Sequence, residues 1–137
     1  MVDGDTINVV IQGGASDRVR YAGSIDAPER CDLGGPEATK LNASLTDGQA
    51  VMLRIDRFNE RDHSGRLLAY VYVGSQLVQH ELLLNGLANN RYRSIARNPW
   101  QSEWDAWEWE AWTQRRGLWG SYWSAYSPTN LPPHVTC

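Results

Sequence analysis

Hydrophobic and polar residues alternate through the first part of the chain. Ile7, Val9 and Ile11 alternate with polar neighbours, and the stretch DRVRYAGSI alternates in the same way after a Gly13-Gly14 turn. A period of two places successive side chains on opposite faces of a strand. The pattern therefore predicts a β-hairpin formed by DTINVVIQ and DRVRYAGSI.

A helix and three more strands are predicted next. The stretch PEATKLNASLTDG has a helical period of apolar residues, a proline at its start and a glycine at its end. AVMLRIDRF alternates, so Val51, Leu53 and Ile55 are expected to point inward. RLLAYVYV is apolar almost throughout, and the short stretch QLV follows a Gly74-Ser75 turn.

The last part of the chain is predicted to be mainly helical. HELLLNGLA predicts a short helix, and residues 100–116 predict a long one that Gly117 ends. The tail, residues 120–137, has three prolines and little periodicity, so we expect it to lie extended over the surface. About five short strands and three helices predict an α+β protein, mainly β, in which the helices pack outside a small barrel.

Composition narrows the possible partners. A chain of 137 residues suits one domain, and no apolar run approaches the roughly 20 residues of a membrane span. The net charge of −3 does not by itself indicate nucleic acid binding. However, 12 of the 13 basic residues are arginine, and residues 82–100 contain three arginines and no acid. Arginine favours bidentate phosphate contacts, although surface ion pairs are the alternative.

Two cysteines, Cys31 and Cys137, lie far apart and show no metal-ligand spacing. If the protein is exported, a disulfide between them would tie the tail to residue 31; two free thiols are the alternative. No signal-peptide pattern is visible, although a cleaved signal would leave no trace. A secreted or extracytoplasmic location is favoured.

Seven tryptophans are concentrated near the C-terminus. Trp100, Trp104 and Trp107 fall on one stripe of the predicted long helix. They could stack on bases or pack against the barrel. Four acids on the same helix would repel phosphate, so packing is the favoured interpretation. His63 and His80 show no metal-ligand spacing and are expected at the surface.

Several short motifs occur in a fixed order: VDGDT at 2–6, IDAPE at 25–29, GPEA at 35–38, DHSGRLLAYVYV at 62–73, GLA at 86–88 and GLW at 117–119. This ordered set resembles the thermonuclease, or staphylococcal-nuclease-like, family. The resemblance implies a five-stranded OB-fold barrel with three helices over residues 1–119, on which the tail packs. It also implies a calcium-dependent phosphodiesterase that acts on DNA and RNA. We expect a monomer.

The resemblance assigns a metal site to two of the motifs. It implies that the carboxylates of Asp5 and Asp26 and the backbone carbonyl of Ala27 bind calcium, and that Asp3 and Thr6 support them. Calcium takes six to eight oxygen ligands. Waters and a substrate phosphate oxygen would therefore complete the shell.

The resemblance also assigns the hydrolytic chemistry. It implies that Arg20 and Arg66 grip the phosphate and that Glu29 is the catalytic carboxylate. A phosphodiester is anionic and repels hydroxide, so positive charge that offsets the five-coordinate transition state accelerates attack. Glu29 would hold or deprotonate the attacking water.

A nucleotide-binding group is expected in the segment after Gly86. Tyr92 resembles a tyrosine that contacts the nucleotide, and the neighbouring Arg91 and Arg93 are expected to add phosphate contacts. Domains of this kind that have lost catalysis also exist, so a binding module is the alternative function. Retention of the acids and arginines favours the nuclease.

The spacing of Arg20 and Asp26 is unusual for the family. They are six positions apart, whereas the family usually has five. One extra residue in a strand turns every later side chain to the opposite face, unless a β-bulge near Gly23-Ser24 absorbs it. In addition, only two residues precede the first motif, whereas the family's first strand begins earlier. The sequence is therefore expected to be truncated or to lack part of that strand.

Overall fold

The apolar alternation produces five short strands. In the computed structural model, which describes residues 3–137, these are Thr6–Val10 (β1), Ser16–Tyr21 (β2), Met52–Ile55 (β3), Leu67–Val73 (β4) and Gln76–Leu77 (β5). Met1 and Val2, and with them the expectation about the chain ahead of the first motif, lie outside the described residues.

The strands form one mixed sheet. Its order is β1-β2-β4-β3, and β5 pairs with β4. β1 and β2 form the predicted hairpin, in which Thr6 lies opposite Arg20, while β2 and β4 run parallel. In the described part of the chain no ladder joins β1 to β3. A groove of about 510 Å³ lies instead between β1 and residues 46–51, the segment just ahead of β3. The sheet therefore curves into a barrel that is open along this side.

Three helices cover the sheet, which confirms the predicted fold class. They are Gly35–Thr46 (α1), Val78–Leu84 (α2) and Gln101–Thr113 (α3), and a 3-10 turn, Gly117–Gly120, follows α3. The second helix begins two residues earlier than predicted, so QLV contributes only a two-residue strand. Of the helices in residues 3–137, none combines the length and apolar character needed to cross a membrane.

The tryptophan stripe packs against the sheet, as predicted. Trp104 is fully buried in the main core, and Trp100 and Trp107 pack against it from partly buried positions. The ring of Tyr70 meets the rings of Trp100 and Trp104 edge-on, with centroids 5.1 and 5.8 Å apart. Helix α3 is therefore fixed to β4 through aromatic contacts.

Ile55, which was predicted to point inward, is less buried than that prediction implies. Its side chain is 37% exposed, whereas Val51 and Leu53 are partly buried. β3 is an edge strand that pairs only with β4. Its last residue therefore has no second layer to cover it, and the alternation alone could not reveal this.

The C-terminal tail is more firmly attached than an extended surface segment. A second apolar cluster contains Leu118, Trp119 and Trp123, and Tyr126 and Leu131 pack against it. Residues 121–125 form turns, Ser127 and Asn130 form a β-bridge, and residues 131–137 have no assigned secondary structure. The tail therefore begins as part of a small core and ends as an extended strap.

The extra residue between Arg20 and Asp26 is accommodated outside the sheet. β2 ends at Tyr21, and the chain then turns through Gly23, whose φ is +90°. The strand was predicted to continue to Ile25, where the extra residue would turn Asp26 to the opposite face unless a bulge absorbed it. Instead, an irregular turn replaces the last part of that strand, so strand parity no longer decides where Asp26 points.

Gly23 is required for two reasons, which a pair of variants separates. A Cβ at Gly23 would lie 2.7 Å from the ring of Trp104, whereas Gly48, with a φ of +71°, has open space around it. Gly48→Ala should cost about 1–2 kcal/mol through backbone strain alone. Gly23→Ala should cost about 2–5 kcal/mol because overpacking is added. Urea unfolding measures both, and equal losses would exclude the steric contribution.

Candidate active site

One cavity of about 170 Å³ brings together most of the residues predicted for the site. Its walls are formed by Asp3, Asp5, Arg20, Asp26, Ala27, Glu29, Arg66, Tyr92 and His134. Eight of these nine were predicted from the sequence as site residues. The ninth, His134, was not.

Six segments of the chain position these side chains. Asp3 and Asp5 lie ahead of β1, Arg20 lies near the end of β2, and Arg66 lies directly before β4. The backbone of Asp26 exchanges two hydrogen bonds with Asn89, at 2.8 and 2.9 Å. This bridge ties the turn after β2 to the loop that carries Tyr92.

Asp5 is held in place by its neighbours. Its Oδ2 accepts a hydrogen bond of 2.9 Å from the backbone N–H of Ala27, and the hydroxyl of Thr6 donates to its Oδ1 at 3.4 Å. The backbone N–H of Asp5 donates to Oδ1 of Asp3 at 3.2 Å. Burial and the neighbouring Asp5 raise the pKa of Asp3. Asp3 and Thr6 are thus placed to support Asp5.

Arg20 faces the cavity despite the extra residue. Its guanidinium lies 3.4 Å from Asp5 and 4.0 Å from Asp26, and only 14% of its side chain is exposed. It also donates hydrogen bonds to the carbonyls of Tyr21 and Ile25, at 3.0 and 3.2 Å. Burial opposes its charge, but the two carboxylates outweigh burial and raise the pKa of Arg20.

Asp26 is a buried carboxylate whose partners are Arg91, His134 and, at a longer distance, Arg20. Its Oδ2 accepts hydrogen bonds from Nε of Arg91 at 3.0 Å and from the His134 ring at 2.9 Å. Within residues 3–137, no hydrogen bond to its Oδ1 is present, and Arg20 lies 4.0 Å from that oxygen. The Oδ1 atom therefore remains for another ligand.

Glu29 is bound by the tail. Its Oε2 lies 2.8 Å from Nε2 of His134, and its Oε1 accepts a weaker hydrogen bond of 3.4 Å from the backbone of Cys137. Burial opposes protonation of His134, but Asp26 and Glu29 outweigh it and raise the pKa of the ring. The structure joins Cys137 to Cys31 by a disulfide.

The guanidinium groups of three arginines differ in how many of their N–H groups are already engaged by neighbouring residues. Nε of Arg66 is 2.7 Å from Asp62, which leaves the terminal N–H groups of Arg66 beside the cavity. Arg91 is engaged by Asp26 and by the carbonyl of Pro132. Arg93 lies outside the cavity and pairs with Asp105 on α3. Of these three arginines, Arg66 therefore has terminal N–H groups beside the cavity, whereas Arg91 is engaged by two partners and Arg93 lies outside it.

The oxygen atoms predicted to bind calcium are of the chemical type that this ion prefers. Asp5, Asp26 and the Ala27 carbonyl are hard donors, and three donors leave most of the six to eight positions for water and substrate. No cluster of three or more acidic, histidine or cysteine side chains in residues 3–137 has an arrangement that could hold a metal. By the chemistry of their donors, Asp5, Asp26 and the Ala27 carbonyl fit the open two-carboxylate site that the resemblance implies.

The match to known sequences decides the family. Residues 18–121 match the model of the family described as staphylococcal nuclease homologue, which covers well over half of the chain. The chain belongs to this family. The charged cavity described above is therefore the candidate active site of a staphylococcal nuclease homologue.

Three curated relatives are similar to this family member. SPbeta prophage-derived endonuclease YokF of Bacillus subtilis (strain 168) is 37% identical over 124 residues, which cover 86% of this chain and 41% of YokF. Endonuclease YncB of the same strain is 41% identical over 97 residues, covering 66% of this chain and 45% of YncB. Thermonuclease of Staphylococcus hyicus is 33% identical over 98 residues, which cover 67% of this chain and 56% of that thermonuclease. The chain thus spans less than half of the two Bacillus relatives.

A buried acid on α3 holds the loop that carries Tyr92. Glu108 is 2% exposed and accepts a hydrogen bond of 2.6 Å from the backbone N–H of Asn90. Burial raises the pKa of Glu108 to about 7; the Asn90 hydrogen bond lowers it, the Asp105 charge raises it and Arg93 lowers it. The folded state therefore binds the Glu108 proton more tightly than the unfolded chain does.

The raised pKa of Glu108 predicts how stability depends on pH. The raised pKa of Glu108 contributes its full stabilisation of the fold below pH 4.5, where the side chain is protonated. This contribution is lost as the pH rises to about 7 and the side chain ionises in the folded state. Glu108→Gln keeps an acceptor for Asn90 but cannot ionise, so the variant should be more stable than wild type at pH 8, by on the order of 3 kcal/mol. Urea unfolding between pH 4 and 8 measures this. Parallel stability curves for the two proteins would contradict the assignment.

Proposed function

We propose that this chain is a calcium-dependent nuclease that hydrolyses phosphodiester bonds of DNA and RNA. The observation that carries the proposal is the cavity, where Asp5, Asp26, Glu29 and two arginines converge. Membership of the family, and the names of relatives that are endonucleases and thermonucleases, support it.

Asp5 and Asp26, with the carbonyl of Ala27, would hold the calcium ion. When bound, the ion supplies positive charge that offsets the charge of the phosphate. Thr6 and Asp3 keep the Asp5 carboxylate and backbone in place.

The guanidinium groups of Arg66 and Arg20 would bind the phosphate. Asp62 holds Arg66 through Nε, so its terminal N–H groups can donate to phosphate oxygens as charge grows on them. Arg20 is anchored to two backbone carbonyls and supplies a fixed positive charge between Asp5 and Asp26. Tyr92 lines the same cavity and would contact the nucleotide.

Glu29 acts as the general base. Its side chain is 28% exposed, so water can reach it. The water oxygen forms a bond to phosphorus while its proton passes to Glu29, and the bond from phosphorus to the leaving oxygen breaks. A carboxylate within hydrogen-bond reach of the water is the geometry that this step needs.

The cavity wall and the disulfide also support an oligomeric state and a cellular location for the protein. All nine residues of the cavity wall come from one chain, so a monomer suffices. The disulfide favours a secreted or extracytoplasmic location, because disulfides persist in oxidising compartments.

Cleavage of labelled single-stranded DNA tests the function. Purified wild type should cleave the DNA in millimolar calcium and leave it intact in excess EGTA. Glu29→Gln removes the base but not the fold, so its rate should fall at least about 100-fold. The matched control is Glu37→Gln, an exposed acid in the first turn of α1, which should cleave like wild type.

A folded wild type that leaves DNA intact in both solutions would contradict the nuclease. If the same protein still shifted DNA on a gel in the presence of chelator, the binding-module alternative would replace it. Full activity in Glu29→Gln would remove Glu29 from the mechanism.

A further inference from the structure

His134 connects the two carboxylates to which different roles are assigned. Its Nδ1 lies 2.9 Å from Asp26, and its Nε2 lies 2.8 Å from Glu29. Because the ring is rigid and both nitrogens are engaged, it fixes the separation of the two acids as well as their orientation. This contact joins parts of the chain more than 100 residues apart.

The tail is tied down on both sides of His134. On one side Arg91 donates a hydrogen bond to the carbonyl of Pro132. On the other side, the disulfide joins Cys137 to Cys31, two residues beyond Glu29. The disulfide thus ties the tail that carries His134 to the short segment that carries Glu29.

Glu29 needs such support because it lies in an irregular segment between β2 and α1. Among residues 3–137, every hydrogen bond to its carboxylate comes from the tail, through His134 and Cys137. A glutamate side chain has three rotatable bonds. Without these contacts it would sample several positions relative to the attacking water.

The tail orients the site without blocking it. The cavity of about 170 Å³ exists with His134 in its wall, and Glu29 keeps part of its surface exposed. Neither Asp5 nor Arg66 has a hydrogen bond to the tail in the described part of the chain. Among the described residues of the cavity wall, the tail therefore forms hydrogen bonds only to Asp26 and to the proposed base.

We propose that His134 is a positioning residue for hydrolysis, which fixes the Glu29 carboxylate relative to Asp26, and that the Cys31–Cys137 disulfide holds His134 in place. This inference rests on the proposed nuclease function.

Kinetics of His134→Ala test the role, with Val135→Ala as the matched control from the same tail. Val135 has an exposed side chain and should be replaceable without effect. Loss of His134 should lower kcat about 10- to 100-fold, the usual range when a supporting partner of a site ligand is removed. KM should change little, because Arg66 and Tyr92 remain. Added imidazole should restore part of kcat, which a purely structural role would not allow.

The double variant Cys31→Ser/Cys137→Ser tests the tether. It should lower kcat in the same direction as His134→Ala, after circular dichroism and melting show that it is folded. Dithiothreitol should reproduce the loss in wild type and have no effect on the double variant.

A measurement without catalysis completes the test. In metal-free protein, ¹⁵N spectra of the His134 ring should show both nitrogens hydrogen-bonded in the disulfide form. The double variant should give the averaged signals of a free ring. A free ring in the disulfide form would overturn the proposed bridge.

The outcomes separate this inference from the function on which it rests. Wild type that cleaves DNA, together with His134→Ala of equal kcat, overturns the positioning role and leaves the nuclease intact. A higher kcat in the variant overturns it as well, because the tail would then be inhibitory. No cleavage by wild type refutes the nuclease itself and, with it, a role for His134 in hydrolysis.

Discussion

The site depends on the balance of charge around Arg20. Four carboxylates line one small cavity, and without compensation their mutual repulsion would drive them apart or protonate them. Arg20 lies within 4.0 Å of two of them, with its guanidinium anchored on backbone carbonyls. Removing one partner of a buried ion pair typically costs 3–5 kcal/mol. The turn through Gly23 brings Asp26 to within 4.0 Å of this guanidinium, so the site depends on that turn as well as on the charged residues.

The excess of acidic over basic residues in the cavity wall indicates which ions the cavity can bind. Its walls hold four acids against two arginines and one histidine. Asp26 and Glu29 are already partnered by the tail, whereas Asp5, in the described residues, has no hydrogen bond to it. A divalent cation and a singly charged phosphodiester bound together add one positive charge, which offsets part of the excess of acids in the wall.

Much of this arrangement could be predicted from the sequence, and the exceptions have physical causes. Alternation predicted the hairpin, and the order of the motifs identified eight residues of the cavity wall. Periodicity could not predict the direction of Arg20 relative to Asp26, because a turn with a positive φ follows no period. His134 was missed because it lies in a tail without periodicity. The cysteines held the signal: a bond from Cys137 to Cys31 brings residue 134 close to Glu29.

The central claim is that Asp5 and Asp26 form a cation site balanced by Arg20, and calcium titration by calorimetry tests it most directly. Wild type should bind one calcium ion, and Asp5→Asn, which keeps the shape of the side chain but removes its charge, should bind at least about tenfold more weakly. Equal affinity in the two proteins, or no binding by folded wild type, would contradict the claim.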